Sequence, residues 1–197
     1  MQWFSELGPF FTVAVHRPPP GPPWRPVFEL PASAALSERI AEVQAALSSD
    51  RRVASSVAQL SVAARLLAPA LALAVRDRRP VSLLDWYWQP PVAATFALSV
   101  PADPRPGSPL TGPVTALAAG LPGLPARVGW GNVASAINTA AVLLGPAAHP
   151  MAGQLLAGVP GEPTAVGPAF RRNSCCLLYR AGRPYCGDCV LTGPRPT

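Results

Sequence analysis

All four cysteines of this 197-residue chain lie in one short stretch, FRRNSCCLLYRAGRPYCGDCVL, residues 170–191. The pattern is an adjacent pair, Cys175 and Cys176, then nine residues, then Cys186-Gly-Asp-Cys189. Thiolates act as metal ligands and as redox groups. This segment is therefore where the sequence could carry chemistry.

Three kinds of chemistry are compatible with this spacing. A tetrahedral zinc site commonly uses Cys-x-x-Cys, but its two halves usually repeat that spacing, and the adjacent pair does not. Dithiol–disulfide exchange through Cys186 and Cys189 usually occurs before a helix of an α/β fold, which this sequence does not predict. A four-cysteine [2Fe–2S] cluster offers two metal corners and accommodates irregular spacing. Spacing alone favours the cluster and leaves the other two open.

The residues around the cysteines also suit a cluster. Four thiolates on two irons carry negative charge, which grows by one on reduction, and nearby cations offset it. Gly187 would let backbone N–H groups approach sulfur, whereas Asp188 is expected to be a turn residue rather than a ligand. The arginines within a few residues of the thiols are Arg171, Arg172, Arg180 and Arg183.

The motif Arg-Arg-x-x-Cys-Cys-Leu-x-Tyr-Arg, followed by Cys-Gly-Asp-Cys, resembles the C-terminal [2Fe–2S] segment of the FhuF-like ferric siderophore reductases. The gap between Cys176 and Cys186 is one residue shorter than is usual in that family. Upstream, RRVASSVAQLSVAARLLAPAL and GWGNVASAINTAA are similar to two helices of actinobacterial-type members. The resemblance implies a [2Fe–2S] cofactor, with no catalytic residues beyond the cluster. The implied ligands are Cys175, Cys176, Cys186 and Cys189.

The resemblance further implies an oxidoreductase that passes one electron to ferric iron in a siderophore complex, expected to be of the hydroxamate type. Hard oxygen ligands favour Fe³⁺ over Fe²⁺, so reduction loosens the complex and releases Fe²⁺. No nucleotide-binding fingerprint is found, so the electron is expected from an unidentified protein donor. The alternative is a non-redox module, either stapled by zinc or serving siderophore binding or biosynthesis.

The composition indicates a folded protein, with 49% hydrophobic residues interrupted by 27 prolines and 16 glycines. The net charge of +6 comes from dispersed arginines, without the interleaved aromatics of a nucleic-acid surface. We therefore expect no nucleic-acid partner.

The periodicity predicts a mainly α fold with minor β. A helical body, residues 1–160, would carry short N-terminal and central strands, and a small cysteine-rich [2Fe–2S] module would follow at 168–193. Strands are predicted at FFTVAV, at PVFEL and twice within 81–100. Helices are predicted at 33–48 with Ser33 as N-cap, at 51–76 with a kink at Pro69, near VTALAAGL, at 131–145 with Asn132 as N-cap, and at HPMAGQLLAG.

One apolar stretch, residues 53–75, is long enough to cross a bilayer. Arg65 lies at its centre, and Ser55, Ser56, Gln59 and Ser61 weaken it further. We expect a buried helix rather than a membrane span. The N-terminus does not resemble a signal peptide, so the expected compartment is the cytoplasm, where thiols stay reduced.

Overall fold

The computed structural model describes residues 2, 3 and 5–192. Within these residues the chain forms five α-helices and five short strands. The predicted mainly α fold with minor β is confirmed. The helices are α1 (Ala34–Leu47), α2 (Arg51–Asp77), α3 (Pro113–Gly120), α4 (Ala126–Leu144) and α5 (His149–Leu156).

The strands form one small sheet in the order β1-β2-β5-β4-β3, with β2 and β5 parallel and the other pairs antiparallel. The strand predicted within FFTVAV and the two predicted within 81–100 are confirmed. The strands are β1 (Gln2–Trp3), β2 (Val13–His16), β3 (Arg25–Pro26), β4 (Tyr87–Trp88) and β5 (Leu98–Pro101).

The strand predicted at PVFEL is wrong. Only Arg25 and Pro26 pair with β4, and the chain then forms a 3-10 helix over Val27–Ala32. Val27 and Leu30 lie three residues apart and are both fully buried, so one helical turn places them in the core where an extended strand would not.

Capping explains where α1 and α2 begin. The Ser33 side chain accepts a hydrogen bond from the Leu36 N–H, which confirms the predicted N-cap. Asp50 accepts one from the Val53 N–H at 2.9 Å in the same way. Pro69 lies inside α2, which continues to Asp77, and the kink expected there stays a prediction.

Helix α2 is long and apolar enough to suit a membrane span, but 78% of its most apolar window is buried inside the protein. Arg65 is 2% exposed, and its guanidinium donates to the carbonyl oxygens of Phe10, Thr12 and Phe96 at 2.7–2.9 Å. Burial lowers the pKa of Arg65 to about 10. These contacts tie the middle of α2 to the segments that precede β2 and β5, as expected of a core helix.

The most extensive helix pair is α2 against α4. Helix α4 begins at Ala126, so Asn132 is not the predicted N-cap and lies fully buried inside the helix. Two glycines before it, Gly129 and Gly131, weaken the helical signal. Both are required for close packing: a Cβ on Gly129 would collide with the backbone of Ala118 in α3, and one on Gly131 would collide with the Ser174 hydroxyl.

The division into a body, residues 1–160, and a module, residues 168–193, stays a prediction. Residue 193 lies outside the described residues. The cysteine segment lies against α2 and α4, and its docking is described below.

Candidate metal centre

The structure brings the two cysteine pairs together. The Arg172 N–H donates to the Asp188 carbonyl oxygen at 3.1 Å, which holds the start of the segment beside the Cys186–Cys189 turn. That turn is closed by a hydrogen bond from the Cys189 N–H to the Cys186 carbonyl oxygen at 3.1 Å. All four cysteines are free thiols, and the Sγ atoms of Cys176 and Cys186 are 3.7 Å apart.

The adjacent cysteines are followed by a sharp turn in the backbone. Leu177 has a positive φ of 68°, and the chain then enters the 3-10 helix Leu178–Ala181. The Leu177 N–H donates to Cys175 Sγ at 3.3 Å, and the Leu191 N–H donates to Cys189 Sγ at 3.4 Å. Backbone donors of this kind stabilise thiolates and tune clusters that thiolates hold.

The four thiols also affect one another electrostatically. Burial raises the pKa of Cys175, and the neighbouring Cys176 and Cys189 raise it further. The pKa of Cys176 is lowered to about 6, because the hydrogen bond between its sulfur and that of Cys186 stabilises its thiolate. The same bond, together with burial, raises the pKa of Cys186. Metal binding would displace the protons of these thiols, and the charge of the metal would offset the repulsion between the thiolates.

A buried cation lies next to the thiols. The Arg172 side chain belongs to a residue only 1% exposed, and its Nη2 donates to Asn132 Oδ1 at 2.6 Å. Its Nε and Nη1 atoms are buried with no hydrogen-bond partner among the described residues. Its charge contributes to the lowered pKa of Cys176 and partly offsets the rise that burial causes in the pKa of Cys175. Unpaired buried donors are unfavourable, so this guanidinium is suited to a negatively charged group at the thiols.

Helices α2 and α4 hold the segment through a chain of buried polar contacts, which we call the polar seam: Ser56, Gln59, Asn132 and Arg172. Asn132 Nδ2 donates to the Ser56 carbonyl oxygen at 2.9 Å and to Gln59 Oε1 at 2.7 Å. Ser56 Oγ donates to the Cys176 carbonyl oxygen at 2.7 Å. The polar seam therefore joins the two helices to the cysteine segment at two points, the side chain of Arg172 and the backbone of Cys176.

The proline- and glycine-rich stretch before the cysteines is also held in place by hydrogen bonds. The Glu162 carboxylate accepts a hydrogen bond from the Asn173 N–H at 2.7 Å, and burial raises the pKa of Glu162. On α4, Asn138 Oδ1 accepts from the Gly167 N–H at 2.7 Å. This stretch thus fixes the approach of the chain to the metal centre.

The arrangement fits a two-iron cluster. Two thiolates on one tetrahedral metal, with metal–sulfur bonds of about 2.3 Å, are separated by about 3.8 Å. The 3.7 Å between Cys176 Sγ and Cys186 Sγ matches that edge. In the described part of the chain, no three His, Cys, Asp or Glu side chains converge to hold a single ion. The close Cys176–Cys186 pair is thus compatible with one edge of a cluster, and the irregular spacing of the four cysteines favours two irons over one zinc.

Residues 172–191 match the family model described as "FhuF 2Fe-2S C-terminal domain". This segment is therefore similar to the FhuF-type 2Fe–2S C-terminal domain. The match covers 20 of the 197 residues and confirms the resemblance for the cysteine segment. No curated protein and no solved structure matches the chain significantly.

The FhuF-type domain makes this an iron–sulfur protein with a [2Fe–2S] cluster and links it to siderophore iron handling. The flanking arginines lie in different surroundings. Arg172 is buried beside the thiols, whereas Arg180 lies 3.5 Å from the Asp50 carboxylate at the surface. Arg183 is exposed, and Arg171 is half-buried at the rim of a cavity described below.

Sequence reasoning missed the partners of the segment within the helical body. The sequence marks Ser56 and Gln59 as polar residues in an apolar stretch and favours Asn132 as an N-cap. Ser55, Ser56 and Gln59 lie at i, i+1 and i+4, on neighbouring positions of one helix face. A cluster of buried-helix polar residues on one face is the signal that could have identified the docking surface.

We predict that Gly131→Ala undocks the cysteine segment, because the new methyl group would occupy the space of the Ser174 hydroxyl and press on Arg172. Overpacking of this kind typically lowers the free energy of unfolding by about 1–3 kcal/mol. Urea unfolding and iron content per chain measure the effect. The matched control is Gly120→Ala at the end of α3, where an added Cβ meets no atom within 4 Å. Equal stability and iron content in the two variants would contradict the docking described here.

Proposed function

We propose that Cys175, Cys176, Cys186 and Cys189 ligate the [2Fe–2S] cluster and that the protein is a ferric-siderophore reductase of the cytoplasm. The observation that carries the proposal is the approach of Cys176 Sγ to Cys186 Sγ at 3.7 Å, which brings the two pairs of free cysteines together, with the Nε and Nη1 of Arg172 buried and without a hydrogen-bond partner among the described residues. The FhuF-type match over the same residues supports it.

When bound, the cluster supplies one-electron transfer. The protein's own residues set the conditions for that transfer. Arg172 places a positive charge next to Cys175 and Cys176, and this charge favours the more negative, reduced state. Asn132 fixes the guanidinium by accepting from Nη2 at 2.6 Å. The Leu177 and Leu191 N–H groups donate to sulfur and stabilise the thiolate ligands.

The substrate we propose is ferric iron held by hydroxamate oxygens. One electron converts Fe³⁺ to Fe²⁺, which these hard anionic ligands bind much more weakly, so Fe²⁺ leaves and the chelator is regenerated. Each turnover consumes one electron and leaves the protein oxidised. A protein donor must then restore it.

The segment between the cysteine pairs offers a surface for that donor. The rings of Tyr179 and Tyr185 are exposed, with centroids 6.0 Å apart, and Arg180 and Arg183 flank them. Exposed aromatic and arginine side chains are favoured at protein interfaces, and the positive charge would steer an acidic partner. We propose that the electron donor is an acidic redox protein docking on this surface.

Replacing any one of the four cysteines by serine should abolish or strongly alter the visible absorption and the electron paramagnetic resonance (EPR) signal of the reduced protein. Wild-type protein should contain about two irons and two sulfides per chain. The control is Arg183→Ser, an exposed change in the same loop, which should retain full iron content. A serine variant with the wild-type spectrum would remove that cysteine from the ligand set, and a colourless wild type containing zinc would contradict the proposal.

The reaction itself is tested anaerobically. Chemically reduced protein is mixed with a ferric trihydroxamate complex and a ferrous-specific chelator, and both cluster reoxidation and Fe²⁺ formation are followed. We expect one Fe²⁺ per cluster oxidised, because each cluster delivers one electron. Reoxidation of the cluster without Fe²⁺ formation, with ferric complexes of several ligand types, would leave an iron–sulfur protein without the proposed activity.

A further inference from the structure

An open cavity of about 340 Å³ lies between the outer face of α4 and the cysteine segment. Its walls include Val142 and Leu143 of α4, together with Phe170 and Arg171, and it reaches Gly187 and Asp188. Those last two residues lie between Cys186 and Cys189 in the chain. The cavity therefore borders the turn that carries two of the proposed ligands.

The cavity continues along α4. A second, apolar recess of about 130 Å³ is lined by Phe10, Phe11 and Ala68 and shares Thr139 and Leu143 with the first. We call the two together the α4 groove. Their combined size falls within the range of small-molecule sites, roughly 300–1,000 Å³.

The α4 groove exposes apolar side chains that a soluble protein would normally cover. Val142 is 48% exposed and Leu143 is 60% exposed, on adjacent positions near the end of α4. Such a patch beside a concave surface is typical of a binding site.

The charges of the α4 groove are balanced. Arg171 is held at the rim by hydrogen bonds from Nη1 to the carbonyl oxygens of Pro168 and Phe170, at 3.1 and 2.8 Å. Asp188 lines the same cavity, with its Oδ2 atom buried. One cation and one anion on an apolar surface suit an uncharged ligand with polar oxygens better than a multiply charged anion.

Access to the redox centre is open at Gly187. This residue is exposed, and a Cβ built on it would meet no atom within 4 Å, so a ligand in the α4 groove can approach the backbone of the Cys186–Cys189 turn. Cys189 itself is only 1% exposed, so the turn backbone is what a ligand would contact.

We propose that the α4 groove is the docking site for the ferric chelate, and that it takes an uncharged trihydroxamate complex with its aliphatic arms on Val142 and Leu143. This inference rests on the proposed reductase function. It adds the place of substrate binding and a preference for an uncharged chelate over a tris-catecholate complex, which carries several negative charges.

Binding is measured separately from reduction with the gallium(III) complex of a linear trihydroxamate chelator, since Ga³⁺ resembles Fe³⁺ but is not reduced here. Calorimetry gives the affinity, and amide NMR shifts map the contacts in the oxidised protein. We expect Leu143→Glu to weaken binding by about tenfold or more, because it places a charge on the apolar wall. The matched control is Leu84→Glu, since Leu84 is 50% exposed and lies outside both cavities. The control should bind as the wild type does.

Both variants are also assayed for Fe²⁺ formation, with cluster content confirmed by EPR. We expect Leu143→Glu to raise the concentration of ferric chelate needed for half-maximal rate by about the same factor as the loss of affinity. The groove would be excluded as the binding site if Leu143→Glu and Leu84→Glu bound with equal affinity, or if the wild type bound as weakly as Leu143→Glu. Amide NMR shifts confined to Tyr179 and Tyr185 would exclude it as well. None of these results would contradict the reductase function. Failure of the function is different, because wild-type protein would then form no Fe²⁺ at all.

Discussion

The buried guanidinium of Arg172 is the constraint on which the metal centre depends. A cation this deep needs compensating negative charge, and among the described residues no carboxylate lies within ion-pair distance of it, although its charge interacts with the half-buried Glu162 carboxylate. Its Nη2 donates to Asn132, whereas its Nε and Nη1 have no hydrogen-bond partner among the described residues. In our proposal, thiolates carrying a two-iron cluster provide further negative charge, so the arginine and the cluster stabilise each other. The helical body would then do more than support the cysteine segment, because its Asn132 holds the charge of Arg172 beside the thiols.

Two glycines of α4 make this arrangement possible. Gly131 leaves room for Ser174 and Arg172, and Gly129 lets α3 approach the same helix. Asn132 then lies between Ser56 and Gln59 on one side and Arg172 on the other, with every polar atom of its side chain hydrogen-bonded. A fully satisfied buried amide is a specific connector, because an alternative docking of the segment would leave these groups unpaired. The α4 groove lies on the outer side of the same helix. Helix α4 therefore contacts the metal centre on one face and, in our proposal, the substrate on another.

The sequence was most informative where chemistry or capping is local. The cysteine spacing with its arginines identified the cluster segment, and Ser33 correctly marked the start of α1. It was least informative where tertiary contacts override local preference. Asn132 has the properties of an N-cap, yet α4 begins earlier, at Ala126. Its glycines weaken the local helical signal because they serve close packing. PVFEL has strand propensity, yet burial of Val27 and Leu30 favours a helical turn. No local pattern distinguishes the buried Arg172 from the half-buried Arg171 beside it, because burial depends on where the segment docks.

The central claim, that Arg172 stabilises the reduced cluster, is tested by an EPR-monitored redox titration of wild-type, Arg172→Gln and Arg183→Gln proteins with equal iron content. We predict that the midpoint potential of Arg172→Gln lies lower than that of the wild type by on the order of tens of millivolts, since a buried charge next to the thiolates is lost. The exposed Arg183 should contribute far less, because solvent screens its charge. An unchanged potential in Arg172→Gln, with the cluster fully loaded, would contradict the account.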